Sequence, residues 1–251
     1  MNSDRRIVCS FSCGATSAVA TKLALEKYPF AEVIYMDTGS EHSDNKRFMA
    51  DCERWFFGDR PRRITVLRSS KYEDIWEVFD KTRWLVGVKG ARCTTELKKL
   101  PRREFEKPGD LMVLGYDATE TKRAEKFRAN NPEFGLWCPL IEAGITKEMA
   151  IGMLLYAGIE LPAMYRLGFR NNNCIGCVKG QAGYWNKIRV EFPKTFERMA
   201  KLERKLNTAI CKTEAGGVRK KIFLDELDPS AGKYEDLDIK CGLTCGENDG
   251  E

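Results

Sequence analysis

The residues able to do chemistry in this chain are small hydroxyl residues and cysteines, gathered at a few places. Ser10-Phe11-Ser12-Cys13-Gly14-Ala15-Thr16-Ser17 leaves an apolar run and opens a stretch with helical spacing. Small side chains there let backbone N–H groups approach an anion, and a helix N-terminus adds positive potential. The hydroxyls of Ser12, Thr16 and Ser17 can donate as well. The lysine of the GxxxxGK[ST] loop is missing, so this is not that loop, and a plain strand-to-helix turn would use the same residues. Cys174-Ile175-Gly176-Cys177 has the spacing that lets two thiolates reach one metal or form a redox pair; two buried, unliganded thiols are the plainer reading. Cys93, Cys138, Cys241 and Cys245 are further thiols, and a four-thiolate iron–sulfur or zinc site can be drawn from the set in several ways. Arg92-Cys93, Lys98-Lys99-Leu100-Pro101 and Gly115 to Arg123 (GYDATETKR) bring basic groups near strand ends, where they can clamp phosphate or sulfate or simply solvate a helix face. Lys240 to Glu247 sets Cys241 and Cys245 among small residues in an acidic stretch, which favours redox or ligand duty over core packing.

These groups need elements to position them. Arg6–Phe11, Ala31–Asp37, Arg63–Leu67 and Asp110–Tyr116 read as strands. Ser17–Glu26, Ser43–Phe57, Glu73–Lys81 and Glu96–Glu106 read as the helices between them, with Phe48, Cys52, Trp55 and Phe56 on one face of the second. Apolar strands alternating with helices predict a Rossmann-like α/β fold, a parallel sheet with helices on both faces and ligands at the carboxyl ends of its strands. A helix is expected from Thr146, a turn-rich segment over Gly168–Gly183, and a long helix over Lys194–Leu206. With no repeat and no Pro-, Gly- or Ser-rich linker, the organisation expected is one domain over 1–224 and a C-terminal extension over 225–251.

Composition narrows the class. The 251 residues, 43% hydrophobic and 31% charged, describe an ordinary globular protein, neither fibrous nor disordered. The apolar-rich stretch Met149–Pro162 is broken by Gly152, Gly158 and Glu160 and is too short to span a bilayer. The opening MNSDRRIVCSF carries no long apolar run before a cleavage site, so the expected location is the cytoplasm, with no membrane partner. Ten cysteines then argue for metal or thiol chemistry rather than disulfides, and the single histidine, His42, excludes a multi-histidine metal site. The net charge of +5 divides into −7 over 225–251 and +12 over the rest. A basic body suits a nucleotide or a nucleic acid, or is a solvated surface against which an acidic tail folds.

Taken in order, these segments resemble the phosphoadenosine phosphosulfate (PAPS) reductase family of the adenine-nucleotide alpha-hydrolase-like superfamily. The likeness runs from about Ile7 to Gly246. Ser12–Ser17 is similar to the modified phosphate loop SGGxDS, with Cys13 in place of a glycine and Thr16 in place of the aspartate. Asp37-Thr38-Gly39 resembles the DTG that ends the second strand beside the nucleotide. Arg92 to Pro101 resembles the segment carrying a Cys-Cys pair before a lysine, with Cys93 on the first cysteine, Thr94 on the second and Lys98 on the lysine. Gly115–Arg123 matches G-x-x-x-x-E-x-x-R through Glu120 and Arg123. Leu161-Pro162 through Tyr165, Gly168 and Cys174–Cys177 is similar to the family's run ending in C-x-x-C. Cys241-Gly242-Leu243 resembles the C-terminal ECGLH, with Thr244 in place of the histidine and Cys245 as an extra thiol.

The resemblance implies a sulfonucleotide reductase. Ser12, Gly14, Thr16, Ser17, Asp37, Thr38, Gly39, Lys98, Glu120 and Arg123 would bind an adenine sulfonucleotide. Cys241, with Cys245 close by in sequence, would attack its sulfur, and a thioredoxin-like dithiol would release sulfite. Cys93, Cys174 and Cys177 would hold a [4Fe–4S] cluster, with Cys138, Cys241 or Cys245 as fourth ligand or with one iron open; zinc is the alternative occupant. Two other functions stay open at this point. One is an ATP-dependent iron–sulfur enzyme placing sulfur on a nucleic acid, and the other is a non-catalytic nucleotide-binding regulator.

Overall fold

The computed structural model describes residues 5–87, 90–215 and 218–233; Cys241 and Cys245 lie outside the described residues. The chain forms two compact units. The first takes the chain up to Asp37, His42–Arg68 and Leu100–Asn172; the second takes Thr38–Glu41, Ser69–Lys99 and the chain from Asn173.

The first unit is built on five parallel strands in the order Thr65–Leu67, Glu32–Met36, Ile7–Phe11, Leu111–Leu114, Gly135–Trp137. Ile7–Phe11 (IVCSF) and Leu111–Leu114 (LMVL) are apolar nearly throughout because a parallel sheet has both faces covered. Cys9 pairs with Val33 on one side and Val113 on the other. The helix Ala15–Lys27 buries Ala15, Ala18, Ala20 and Ala24, side chains small enough for close packing. The amphipathic helix Asn45–Phe57 sends Phe48 and Phe56 to the ring of Phe11, at 6.2 and 5.6 Å between centroids. Strand order runs outward from Ile7–Phe11 in one direction and resumes on its other side with Leu111–Leu114. The sheet therefore has its switch point between these two strands, the place where open α/β sheets take their ligands.

The second unit carries the helices Ile75–Thr82, Ala182–Glu191 and Pro193–Leu206 and the antiparallel hairpin Cys211–Ala215/Val218–Ile222. Pro193–Leu206 has proline at its first turn, Arg204 and Lys205 in its last, and Asn207 in the left-handed region at its end, each a position those residues favour. Several expectations need correction. The segment expected as one helix over Glu96–Glu106 begins instead at Arg92, is π-wound over Thr95–Lys99 and becomes α-helical over Leu100–Phe105. Pro101 has no N–H and crowds the carbonyl four residues back, which the wider winding relieves. The strand Gly135–Trp137, the helix Thr121–Asn130 and the hairpin were not expected. No helix among the described residues is long and apolar enough to cross a membrane.

A buried carboxyl with a raised pKa in each unit makes stability depend on pH. Glu203, fully buried, accepts the N–H groups of Ile210 at 2.6 Å and Leu224 at 2.7 Å and so clamps both ends of the hairpin region to its helix. Burial pushes it up to about 7 in spite of those bonds. Glu106 lies beside the buried Arg102, Nε to Oε2 at 3.0 Å, and burial pushes it up to about 7 as well. In the unfolded chain both ionise near 4.5, their ordinary value, so the unfolded chain loses its protons first as pH rises. Stability should therefore fall from about pH 4.5 to about 7, by on the order of 2–3 kcal/mol for each group. Urea unfolding across this range checks it: Glu203→Gln should show a shallower fall than the wild type, and an unchanged slope would remove Glu203 as a source.

Candidate functional site

At the end of Ile7–Phe11 the chain enters the loop Ser12–Gly14 and then the helix Ala15–Lys27. The loop is organised by one hydroxyl. Ser17 Oγ accepts from Ser12 N at 3.1 Å, Ser12 Oγ at 3.0 Å and Gly14 N at 3.3 Å, and donates to the Gly14 carbonyl at 2.9 Å. Ser17 is thus a buried brace rather than an outward donor. Ser12 is exposed and Thr16 half-buried, and the Thr16 hydroxyl bonds to none of the described residues. The Ala15 N–H is taken by the Tyr165 hydroxyl at 3.3 Å. The N–H groups of Thr16 and Ser17 have no partner among the described residues, as the first turn of a helix dictates. With the Thr16 hydroxyl and the helix dipole, they give this helix an end whose chemistry suits an anion.

Gly115, just past Leu111–Leu114, packs directly on this loop: a Cβ there would stand 2.5 Å from Ser17 Cα. The contact brings the segment Gly115–Arg123 to the switch point. Glu120 accepts the Asp117 N–H at 3.1 Å and is ion-paired with Arg123, whose guanidinium lies 4.6 Å from the Tyr116 ring centre. Asp37 accepts from Arg68 Nε at 2.9 Å. In the first unit, then, the structure brings Ser12, Gly14, Thr16, Ser17, Glu120 and Arg123 around the carboxyl ends of two neighbouring strands.

The second unit holds the cysteines. Cys93, Cys174 and Cys177 line one cavity of about 20 Å³ together with Lys98, Thr38 and the apolar side chains of Ile75, Phe79 and Leu97. Thr38 Oγ1 lies 3.0 Å from Cys174 Sγ, and the Thr38 N–H donates to Glu41 Oε2 at 3.3 Å. Gly39 has φ +65, and a Cβ there would fall 2.1 Å from the Glu73 carbonyl, so the turn after Thr38 requires glycine. The Cys174–Cys177 turn folds round the buried hydroxyl of Tyr184, which accepts from the N–H groups of Gly176 at 3.1 Å and Cys177 at 3.0 Å and donates to the Cys174 carbonyl at 3.2 Å. Burial holds this phenol well above its usual range.

Three thiols beside a lysine are, in kind, a donor set for a soft metal ion or an iron–sulfur cluster. As they stand, no three His, Cys, Asp or Glu side chains among the described residues converge on one metal position, and the cavity has room for about one water-sized group. Cys138, in the first unit, is pushed up to about 11 by burial. Its thiol is costly to ionise and so a poor source of a fourth thiolate. Sequence reasoning missed Tyr184, Glu41 and the Tyr165 hydroxyl as site-builders, and also Asn45 and Asn172, whose amides meet at 2.7 Å beneath the loop. Only Tyr165 had left a signal, within the segment that precedes the C-x-x-C.

The sequence model described as the phosphoadenosine phosphosulfate reductase domain matches residues 6–183. Among solved structures, the phosphate complex of phosphoadenylyl-sulfate (PAPS) reductase from Candida auris is similar at 11% identity and a TM-score of 0.49, over 68% of this chain and 82% of that one. No curated protein matches the chain. A match over residues 6–183 spans well over half of the sequence, and the chain belongs to the phosphoadenosine phosphosulfate reductase domain family.

Proposed function

We propose that the protein is a sulfonucleotide reductase. The observation that carries this reading is the loop Ser12–Ser17 at the switch point of a parallel sheet, in a chain of this family, with unpaired N–H groups at Thr16 and Ser17. In the first unit the Thr16 hydroxyl, those N–H groups and Arg123, held by Glu120, would bind the phosphate and sulfate of an adenine sulfonucleotide. Positive charge at this place neutralises the phosphate as it leaves.

The proposed nucleophile is the thiolate of Cys241, with Cys245 as the second candidate. It forms a bond to sulfur while the sulfur–oxygen bond to the nucleotide breaks, and the electron pair leaves on the phosphate. The product is a cysteine S-sulfonate and the free adenine nucleotide. A dithiol of thioredoxin type then attacks the cysteine sulfur, releases sulfite and is itself oxidised to the disulfide. Burial sets four other thiols aside. It pushes Cys9 and Cys211 up to about 12, Cys138 to about 11 and Cys52 higher still, which leaves these four protonated and unreactive near neutrality.

Cys93, Cys174 and Cys177 are proposed to hold the [4Fe–4S] cluster, or zinc in its place. A bound cluster would supply a redox centre. Lys98 lines the same cavity, and Tyr184 holds the C-x-x-C turn in place.

Two measurements test these assignments. Intact mass of anaerobically purified protein, incubated with adenosine phosphosulfate or its 3′-phosphorylated form and no reductant, should rise by one SO3 unit. The adduct should map to Cys241 or Cys245 and disappear in Cys241→Ser if that residue is the nucleophile. No adduct on folded protein overturns the reductase reading, and pyrophosphate release from ATP would point instead to sulfur transfer. Cys174→Ser should lose the visible sulfur-to-iron absorbance and most of the bound iron; unchanged iron content would sink the cluster, and zinc in the wild type at one equivalent would replace it.

A further inference from the structure

Beneath the phosphate loop lies a contact that nucleotide binding by itself does not explain. Asn172, 8% exposed, donates from Nδ2 to the carbonyl of Cys13 at 2.7 Å and to Asn45 Oδ1 at 2.7 Å. Asn45, 6% exposed, opens the helix Asn45–Phe57. As packing residues the two amides are a poor choice. Asn172 Oδ1 and Asn45 Nδ2 are buried without a hydrogen-bond partner, which weakens the fold relative to apolar side chains of the same shape. Such departures from local consistency gather where a fold holds a functional geometry.

The geometry held here is that of Cys13. Its φ is +54, in the left-handed region that side-chain-bearing residues rarely occupy, and it packs fully buried in the middle of the loop. Its carbonyl belongs to the same peptide as the Gly14 N–H, which donates to Ser17 Oγ at 3.3 Å. Anchoring that carbonyl to Asn172 fixes the peptide plane, and with it the point at which Gly14 turns extended (φ −104, ψ 158) and the helix begins.

We propose that Asn172, braced by Asn45, is the positioning residue of the phosphate loop, its amide anchoring the Cys13 carbonyl and so keeping Cys13 in the left-handed conformation. That this conformation serves nucleotide binding rests on the reductase reading above. Asn172 does not touch the nucleotide in this account; it acts through Cys13.

The test uses the full chain as wild type, Asn172→Ala, Cys13→Gly and the double variant. Calorimetric titration with adenosine phosphosulfate and its 3′-phosphorylated form gives affinity, and the Cα and Cβ chemical shifts of residue 13 report its φ with no ligand present. Asn172→Ala should weaken nucleotide binding about tenfold and move the Cys13 shifts to those of negative φ. In the Cys13→Gly background the same substitution should change affinity by less than about twofold, because glycine takes positive φ unaided. Equal losses in both backgrounds would show a merely structural role and overturn the proposal, as would unchanged Cys13 shifts in Asn172→Ala. If Asn172→Ala does not fold, Asn172→Asp, which keeps the shape and loses the donor, carries the same readouts. If the wild type binds neither nucleotide, the reductase reading falls, and the residue-13 shifts alone uphold or overturn the positioning role.

Discussion

The first unit depends on what one buried hydroxyl does at the end of its central strand. Ser17 closes the loop on itself by accepting from Ser12 and Gly14 and returning a bond to the Gly14 carbonyl. Closure of this kind spends the polar groups that would otherwise be orphaned where a strand stops and a helix has not yet begun. It leaves open the N–H groups of Thr16 and Ser17 in the first helical turn, which can receive an anion. The neighbouring strand must then be followed by glycine, because any side chain at Gly115 would strike the backbone of Ser17. A small, well-braced loop and a close strand neighbour are thus two aspects of the same constraint.

How much of this was legible in the sequence follows from burial. Ile7–Phe11 and Leu111–Leu114 show as apolar runs because both their faces are covered, and Thr146 shows as a helix start because its hydroxyl accepts from Met149. Gly135–Trp137 is three half-buried residues with no run to detect. Thr121–Asn130 buries only Ala124 and Phe127, and the hairpin Cys211–Ile222 is written largely in charged residues, so neither has a readable period. The loop itself was legible as the turn between a strand and a helix, which its run of small residues marks. Asn172 was not, since three asparagines in a row read as a turn and the carbonyl it holds lies 159 positions away.

Burial also sorts the cysteines. A thiol in an apolar core loses its acidity and behaves as a small hydrophobe, and Cys9 and Cys52 show both traits. Cys93, Cys174 and Cys177 instead share one cavity with a lysine and a threonine hydroxyl. Counting cysteines in the sequence points to thiol or metal chemistry but cannot separate these two populations, because spacing along the chain carries no information about dielectric.

The segment Asp37-Thr38-Gly39 shows why a motif should be divided before roles are assigned to it. As a resemblance it is one nucleotide-binding element. In the structure Asp37 closes a sheet strand and accepts from Arg68 within the first unit, while Thr38 belongs to the second, where its hydroxyl meets Cys174 Sγ at 3.0 Å and its N–H is held by Glu41. Gly39 follows with a positive φ that the Glu73 carbonyl enforces. Thr38 therefore bears on a thiol, its hydroxyl lying against the Cys174 sulfur. Asp37 bears on a guanidinium. Two adjacent residues of a single motif thus act on different chemistry, and the peptide bond between them is one of the places where the chain passes from the sheet to the cysteines.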